Sequence, residues 1–309
     1  MRLVFMGTPQ AAVPTLRRCL EDGHEVVAVW TQPDRPAGRG NRLAAPPVKE
    51  FALQAGLTVH QPAKIRNEEA LGLFASHEAD VCVVVAYGRI LPAGFLSAPR
   101  LGCVNVHFSL LPRYRGAAPV NWAIVRGETE TGVTTMRIVE ELDAGAILLR
   151  RATAIGETET APELMERLSV TGAELLSETL RRIDEIEPRE QEEGKATFAP
   201  VLRRGDGLID WALDATQIER RVRGFQPWPN AHTTYNSHRL VVWRAGVAEG
   251  GRESAGPGEI VLAHGDELLV SCGEGTHLRL HEVQPEGKRR MSARDFLNGA
   301  HVLAGERLG

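Results

Sequence analysis

The sequence predicts an α/β protein with a Rossmann-like, doubly wound and mostly parallel sheet, followed by a small OB-like β-barrel. Over roughly the first 180 residues, short apolar strands alternate with amphipathic helices, the order expected of βαβ units. An acidic stretch at 184–194 interrupts this pattern, and from about Leu208 short strands recur between Gly-rich turns. With 309 residues, the chain is long enough for about two domains.

The elements of the first half follow from local patterns in chain order. Apolar runs predict strands, and apolar residues three or four apart predict helices. The predicted strands span residues 2–6, 25–31, 58–60, 81–86, 103–106 and 132–138. The predicted helices span residues 11–21, 47–55, 68–77 and 120–125. Because residues 81–86 are apolar throughout, we expect this strand at the centre of the sheet, covered on both faces.

A long helix ends the first half. Thr160 and Glu163 have the capping-box spacing, and apolar residues at helical spacing continue to Ile183. We therefore predict an α/β domain over 1–183, a solvated linker over 184–207 and an OB-like β-barrel over 208–309. The strands predicted for the barrel span residues 231–235, 240–245, 258–262, 267–271 and 277–283.

Composition excludes several classes of protein. Apolar residues make up 43% and charged residues 25%, as in soluble globular chains, and the apolar run at 81–86 is far shorter than the roughly 20 residues of a membrane helix. The N-terminus begins with a strand and carries no targeting signal, so we expect a cytoplasmic protein. A net charge of −4 gives no overall basic field, so local patches would have to bind a polyanion. We expect the four cysteines to be buried free thiols.

The common cofactor motifs are absent from the sequence. The first strand ends in Met6-Gly7-Thr8-Pro9 and lacks the G-x-G-x-x-G pattern, which disfavours NAD or FAD binding. The chain also contains no P-loop and no H-E-x-x-H. We therefore expect no metal cofactor.

Asn105 and His107 lie at the end of the strand predicted over 103–106. Alternation along a strand places both side chains on one face, and ligands of open α/β sheets bind at strand carboxyl ends. An amide donor beside an imidazole can stabilise an oxyanion and transfer a proton. By itself, the pair is more typical of a loop-capping Asn and a structural His.

Asp143 lies in the turn Leu142-Asp143-Ala144-Gly145, after the strand predicted over 132–138. A carboxylate among apolar and small residues can orient His107 and accept a proton. An ordinary Asp-x-Gly turn is the alternative.

Together, N-x-H-x-S-L-L-P at 105–112 and L-D-x-G at 142–145 resemble the signature of the 10-formyltetrahydrofolate-dependent formyltransferases. This resemblance implies the formyltransferase fold, with Asn105, His107 and Asp143 as the catalytic residues. It further implies that the co-substrate, 10-formyltetrahydrofolate, is contacted by Ser109, Leu110, Leu111 and Pro112.

Other segments resemble the members of that family that act on methionyl-tRNA. They are residues 31–40, 46–49, 84–88, 113–119, 209–211 and 225–229. The predicted function is therefore transfer of the formyl group to the α-amino group of initiator methionyl-tRNA. We also expect a monomer, since each half of the chain has its own core pattern. The cationic loop 34–49 suits an RNA partner, although a solvated surface loop has the same composition. The tRNA-binding residues predicted there are Arg35, Arg39, Arg42 and Lys49.

The predicted mechanism assigns Asn105 and His107 to the formyl oxygen, while Asp143 holds His107 and this pair moves the amine proton towards N10. Two positions near the site depart from the family pattern, because Phe108 replaces Gly or Ala and Glu141 replaces Gly. In the cationic loop, Asn41 stands where a basic residue is frequent.

Two other functions are alternatives to this one. A sugar-nucleotide formyltransferase would have a similar Asn–His segment, but the cationic loop disfavours it. A non-catalytic RNA-binding protein would not need an imidazole and a carboxylate at converging strand ends.

Overall fold

The computed structural model describes residues 1–37, 42–248 and 255–309, and the chain divides into two compact units. The first unit comprises Met1–Pro119, Glu130–Ala154 and Met165–Ala199, and the second comprises Val120–Thr129, Ile155–Leu164 and Pro200–Gly309. This division reports compactness and not independent folding. The domain limits at 183 and 208 therefore remain predictions.

Strands and helices alternate along most of the chain. The strands of residues 1–199 are β1 (Arg2–Gly7), β2 (Glu25–Trp30), β3 (Arg35–Ala37), β4 (Arg42–Ala44), β5 (Val59–His60), β6 (Val81–Val85), β7 (Cys103–His107), β8 (Arg115–Gly116), β9 (Glu130–Arg137), β10 (Ile147–Ala154) and β11 (Phe198–Ala199). The later strands are β12 (His232–Tyr235), β13 (His238–Ala248), β14 (Ile260–His264), β15 (Glu267–Ser271), β16 (His277–Pro285) and β17 (Met291–Ser292). The helices are α1 (Val13–Glu21), α2 (Pro47–Gln54), α3 (Glu68–Ala75), α4 (Ala93–Ser97), α5 (Pro119–Val125), α6 (Ala161–Arg181), α7 (Ala215–Gly224) and α8 (Ala293–Ala300).

The first unit is built on a seven-stranded sheet in the order β10-β9-β7-β6-β1-β2-β5. The strands from β7 to β5 run parallel to their neighbours, whereas β9 and β10 are antiparallel. The mostly parallel, doubly wound sheet predicted from the sequence is therefore confirmed. All five residues of β6 are buried, as its apolar run predicted, and β6 and β7 lie side by side in the sheet.

Several elements of the first unit were not predicted from the sequence, including the helix α4 and the short strands β3, β4 and β8. Two further features were also missed. β10 has the sequence ILLRRATA, and its half-buried and exposed positions alternate from Leu149 onward. At the antiparallel edge of a sheet, one face of a strand can be exposed to solvent. The exposed positions of β10 therefore carry polar or small residues, and the apolar run that would indicate a strand is absent. The segment 184–207, interpreted as a solvated linker, also contains ordered backbone: β11 pairs in parallel with β8.

The second unit contains a sheet in the order β12-β13-β16-β15-β14, with β17 paired to β16, and its pairs are antiparallel. The C-terminal antiparallel domain is thus confirmed. Its two helices, α7 and α8, were not predicted. Asp214 and Ser292 cap them by accepting hydrogen bonds from the backbone amides of Gln217 and Asp295. The D-x-x-Q and S-x-x-D spacings in the sequence could have indicated these helix N-termini.

Each unit has its own apolar core. One cluster joins Met6, Trp30, Phe74 and Phe95 around the sheet of the first unit, and another joins Trp211, Val242 and Phe296 with their neighbours in the second. The four cysteines are buried and free, as predicted. None of the helices within 1–37, 42–248 and 255–309 combines the length and apolarity needed to cross a membrane.

Candidate active site

A pocket of about 720 Å³ lies in the first unit, at the carboxyl ends of β6 and β7. Three segments form most of its wall: the loop at 86–91 after β6, the end of β7 at 105–108, and residues 138–143 after β9. Parallel strands of an open α/β sheet place ligands at this edge. All three residues predicted to be catalytic line this pocket.

Asn105 and His107 project from the same face of β7 into the pocket, with one residue between them, as strand alternation requires. The Asn105 side chain makes no hydrogen bond to any described part of the chain. Its amide is therefore available to a bound molecule.

His107 is nearly buried, with 6% of its surface exposed. Its Nε2 lies 2.9 Å from the backbone oxygen of Tyr114. A carbonyl oxygen only accepts, so Nε2 carries a hydrogen and donates it. Nδ1 is thus the nitrogen that faces Asp143, whose Oδ2 lies 3.7 Å away. This separation suits an ion pair with the protonated ring and exceeds a hydrogen bond.

Asp143 adopts a left-handed backbone conformation, with φ of 52°. Its Oδ2 accepts a hydrogen bond of 2.7 Å from the Gly116 backbone amide. The side chain of Gln191 reaches the backbone oxygens of Asp143 and Gly145 at 2.8 Å each. The carboxylate is therefore held from its side chain and from its backbone.

The segment Ser109-Leu110-Leu111-Pro112 does not line the pocket. Ser109 Oγ donates to the backbone oxygen of Arg113 at 2.6 Å, and Thr134 Oγ1 donates to the Ser109 oxygen while accepting from Leu111 N. Leu111 is buried in a small cluster with Met136 and Ile147. In this structure the segment is a braced turn beyond the end of β7, and its contact with folate remains a prediction.

The predicted tRNA-binding residues do not form one described cluster. Arg35, in β3, is exposed, and its Nη2 lies 3.5 Å from Gln32 Oε1. Arg39 and the side chain of Arg42 lie outside what the structure describes. The Lys49 ammonium contacts both oxygens of Asp34, at 2.7 and 2.8 Å, and this hydrogen bonding lowers the pKa of Asp34. The charge of Lys49 is therefore compensated within the chain.

Sequence reasoning missed most of the pocket wall. Residues 86–91 and 138–142 contain none of the predicted site residues, yet they line the pocket. For residues 86–91 the signal was positional, since this loop follows a strand at the carboxyl edge of the sheet. Residues 138–142 carried no such signal, because β9 runs antiparallel to β7 and ends beside the start of that strand. Within the loop after β6, Tyr87 is buried, and this burial raises the pKa of its hydroxyl to about 12.

The two positions that depart from the family pattern both line the pocket. Phe108 is buried and Glu141 is largely exposed. Glu141 Oε1 lies 3.9 Å from Nη1 of the buried Arg115. In the described part of the chain, no group of three or more His, Cys, Asp or Glu side chains is arranged to hold a metal ion.

Comparison with known proteins assigns both parts of the chain. Residues 1–180 match the family described as "Formyl transferase", and residues 202–301 match "Formyl transferase, C-terminal domain". The protein of Methylococcus capsulatus named methionyl-tRNA formyltransferase is 50% identical to this chain, and the match covers the full length of both. Proteins with the same name from Geobacter metallireducens and Bacillus subtilis are 47% and 45% identical to this chain. Both matches cover all of this chain, and they cover 99% and 98% of those two proteins, respectively.

Solved structures show the same fold at low identity. WlaRD, titled a sugar 3N-formyl transferase, gives a TM-score of 0.66 at 16% identity, covering 94% of this chain and 99% of its own. An N-formyltransferase from Helicobacter canadensis, in complex with folinic acid and dTDP-3-aminofucose, gives a TM-score of 0.66 at 17% identity. This match covers 92% of this chain and 98% of that one.

Proposed function

The chain belongs to the formyl transferase family, and from that premise we propose that it transfers the formyl group of 10-formyltetrahydrofolate to the α-amino group of initiator methionyl-tRNA. Relatives that carry the name methionyl-tRNA formyltransferase match its whole length at 45–50% identity. The cationic composition of residues 34–49 also suits an RNA acceptor. N-formylmethionyl-tRNA would be the product, used to initiate translation in the cytoplasm.

The observation that carries the proposed chemistry is the convergence of three polar groups in one pocket. An unpaired Asn105 amide, Nδ1 of His107 and the Asp143 carboxylate face the same space. The Asn105 N–H groups are donors fixed before the reaction, so they stabilise charge that develops on an oxygen without reorganising. Nδ1 of His107 becomes a second donor once it has taken the amine proton. The formyl oxygen gains such charge when an amine attacks its carbon.

The nucleophile reacts as a neutral amine. An ordinary α-amino group has a pKa of about 7.7–8.0, and esterification to tRNA removes the nearby carboxylate charge, which lowers it. Much of the amine is then neutral at pH 7. The enzyme therefore has to position the amine and the formyl carbon and to stabilise the oxyanion.

The proton route uses His107 and Asp143. Attack forms the new C–N bond and leaves an extra proton on the amine nitrogen of the tetrahedral intermediate. The His107–Asp143 pair takes this proton and returns it to N10 as the bond from carbon to N10 breaks. Because Nε2 is occupied by the Tyr114 oxygen, Nδ1 is the ring nitrogen that can exchange the proton.

The pocket also fits the size and character of a folate. A volume of about 720 Å³ lies within the roughly 300–1,000 Å³ typical of sites for drug-sized ligands. Its wall combines apolar side chains such as Ile90, Leu91 and Leu142 with backbone groups of the loops. We propose that the pteridine ring enters this pocket and brings the formyl group to Asn105 and His107.

The acceptor would be recognised through phosphate contacts of Arg35, Arg39, Arg42 and Lys49. Exposed Arg35 supports this proposal more than Lys49 does, because Asp34 already neutralises Lys49. We further propose that the protein acts as a monomer, since each unit has its own core.

The test is a transfer assay with purified protein, 10-formyltetrahydrofolate and two acceptors in parallel: methionine-charged initiator tRNA and a UDP-amino sugar. The proposal predicts formylmethionyl-tRNA and no formylated sugar. Formylated sugar alone would contradict the acceptor and keep the chemistry. RNA binding without transfer to either acceptor would contradict the enzymatic function.

A further inference from the structure

We infer that Gln191 is a positioning residue for formyl transfer, which fixes the Asp143 turn beside His107, and that Arg115 orients the Gln191 amide for this task. The inference deepens the proposed function and rests on it. Gln191 lies 48 residues beyond Asp143, in the acidic segment that the sequence suggested was only a linker.

Gln191 bridges the turn that carries Asp143. Its Nε2 donates to the backbone oxygen of Asp143 and to that of Gly145, each at 2.8 Å. A primary amide has two N–H groups, so the two carbonyls use both donors. These bonds stabilise a turn in which Asp143 has the unfavourable φ of 52°.

Arg115 determines which end of the Gln191 amide faces the turn. Its Nε and Nη2 donate to Gln191 Oε1 at 3.1 and 2.9 Å. With the oxygen held there, the NH2 group points towards the two carbonyls. A flipped amide would set oxygen against oxygen on one side and NH2 against guanidinium on the other, losing four hydrogen bonds.

Arg115 is itself rigidly held. Its side chain is 1% exposed, and Glu193 accepts hydrogen bonds from Nη1 and Nη2 at 3.0 and 2.6 Å. This pairing lowers the pKa of Glu193. A buried guanidinium with a bidentate carboxylate partner keeps a fixed geometry.

The same element supports Asp143 from its other side. Gly116, which follows Arg115 in β8, donates its backbone N–H to Asp143 Oδ2. The segment that carries Gln191 is anchored before it by two hydrogen bonds between Arg189 and Ile147 and after it by the pairing of β11 with β8. Asp143 is thus fixed by β8 directly and by Gln191 through Arg115.

The experiment compares Gln191→Glu and Gln191→Leu with the wild type. Gln191→Glu keeps an acceptor for Arg115 but replaces both donors by oxygen facing two carbonyls. A positioning role predicts that kcat falls about 10- to 100-fold, while KM for tRNA and for folate changes less than about threefold. The lost hydrogen bonds lower the melting temperature, but the variants remain folded at the assay temperature. Glu192→Gln is the matched control, because Glu192 is exposed and pairs with Lys195; it should keep kcat within about twofold of wild type.

A double-variant test separates positioning of Asp143 from general support. In an Asp143→Asn background, Gln191→Glu should cause little further loss of kcat, since the group that it positions is already impaired. An equal loss in both backgrounds, or wild-type kcat in both Gln191 variants, would overturn the inference.

A structural readout keeps the inference separate from the proposed function. In a crystal structure of Gln191→Glu, the distance from Asp143 Oδ2 to His107 Nδ1 should increase beyond 3.7 Å, whatever the reaction. An unchanged Asp143 turn would overturn the positioning role. Absence of formyl transfer by the wild-type protein would instead contradict the proposed function.

Discussion

At the residue scale, the proposed chemistry depends on which nitrogen of His107 faces the pocket. Tyr114 occupies Nε2, so Nδ1 remains for the substrate and for Asp143. Strand alternation predicted the shared face of Asn105 and His107, because that relation lies within five consecutive residues of β7. The tautomer was not predictable, since it depends on how the chain folds back after Leu111.

Substitution of Asn105 or His107 tests the role of each residue. His107→Ala and Asn105→Ala should each lower kcat on the order of 10²-fold or more, because each removes a group that stabilises the transition state. Steady-state formylation of methionyl-tRNA measures the effect. His238→Ala is the control, since His238 is 78% exposed and pairs only with Glu286 at 3.7 Å in the described structure. Near-normal turnover in either site variant would refute that residue's role.

At the element scale, the strands and helices with clear periodicity were predicted to within a few residues, including the long helix α6. Several of the elements that were missed depend on distant partners. β10 is stabilised by pairing with β9, and α7 and α8 pack on the sheet of the second unit. Local sequence therefore specified the parallel core of the first unit better than its edge.

The capping box of α6 gives a stability prediction at this scale. Glu163 Oε2 accepts from Thr160 N at 2.8 Å and from Thr160 Oγ1 at 2.7 Å, and this lowers the pKa of Glu163. Glu163→Ala should reduce the free energy of unfolding by about 1 kcal/mol, as measured by urea denaturation. Glu166→Ala, an exposed change on the same helix, should have little effect. Equal stability of both variants would show that the box contributes nothing.

Packing around β2 predicts a dependence of stability on pH. His60 and His77 lie 5.2 Å apart between ring centroids and both contact Trp30, and each has a buried Nε2 without a partner among the described residues. Burial lowers the pKa of both from 6.5, and for His77 the charges of His60 and Arg2 add to this.

The unfolded chain therefore binds more protons than the folded chain as the pH falls below about 6.5. The stabilisation from these neutral rings is complete above that pH and is lost progressively towards the lowered pKa values. Thermal melts at pH 7.5 and 5.5 should show a smaller pH effect in the His60→Gln, His77→Gln double variant than in the wild type. The exposed control His238→Gln should keep the wild-type difference, and an equal difference in all three would contradict this explanation.

At the scale of the whole molecule, the net charge does not favour RNA binding, so the positions of individual charged residues matter. The net charge of −4 provides no general attraction for RNA, so tRNA binding must depend on particular cations. Composition predicts that residues 34–49 carry them. Composition could not predict that an ion pair neutralises Lys49, because its partner Asp34 lies 15 residues earlier in the sequence and folding brings the two together.

This pairing predicts unequal effects of two charge removals. Arg35→Ala should raise KM for methionyl-tRNA and reduce the slope of log KM against log salt concentration by about one. Lys49→Ala should change both quantities less, since an ion pair with Asp34 already offsets its charge. Assays over a range of KCl concentrations measure both effects. A larger effect of Lys49→Ala than of Arg35→Ala would show that Lys49 leaves Asp34 to bind RNA.

The central claim is that this pocket catalyses formyl transfer to methionyl-tRNA through Asn105, His107 and Asp143. The most direct measurement is single-turnover formylation of charged initiator tRNA, with enzyme in excess, by the wild type and by His107→Ala. We predict rapid formation of formylmethionyl-tRNA by the wild type and a rate lower by on the order of 10²-fold or more in the variant. No product with the wild type, or equal rates for both proteins, would contradict the claim.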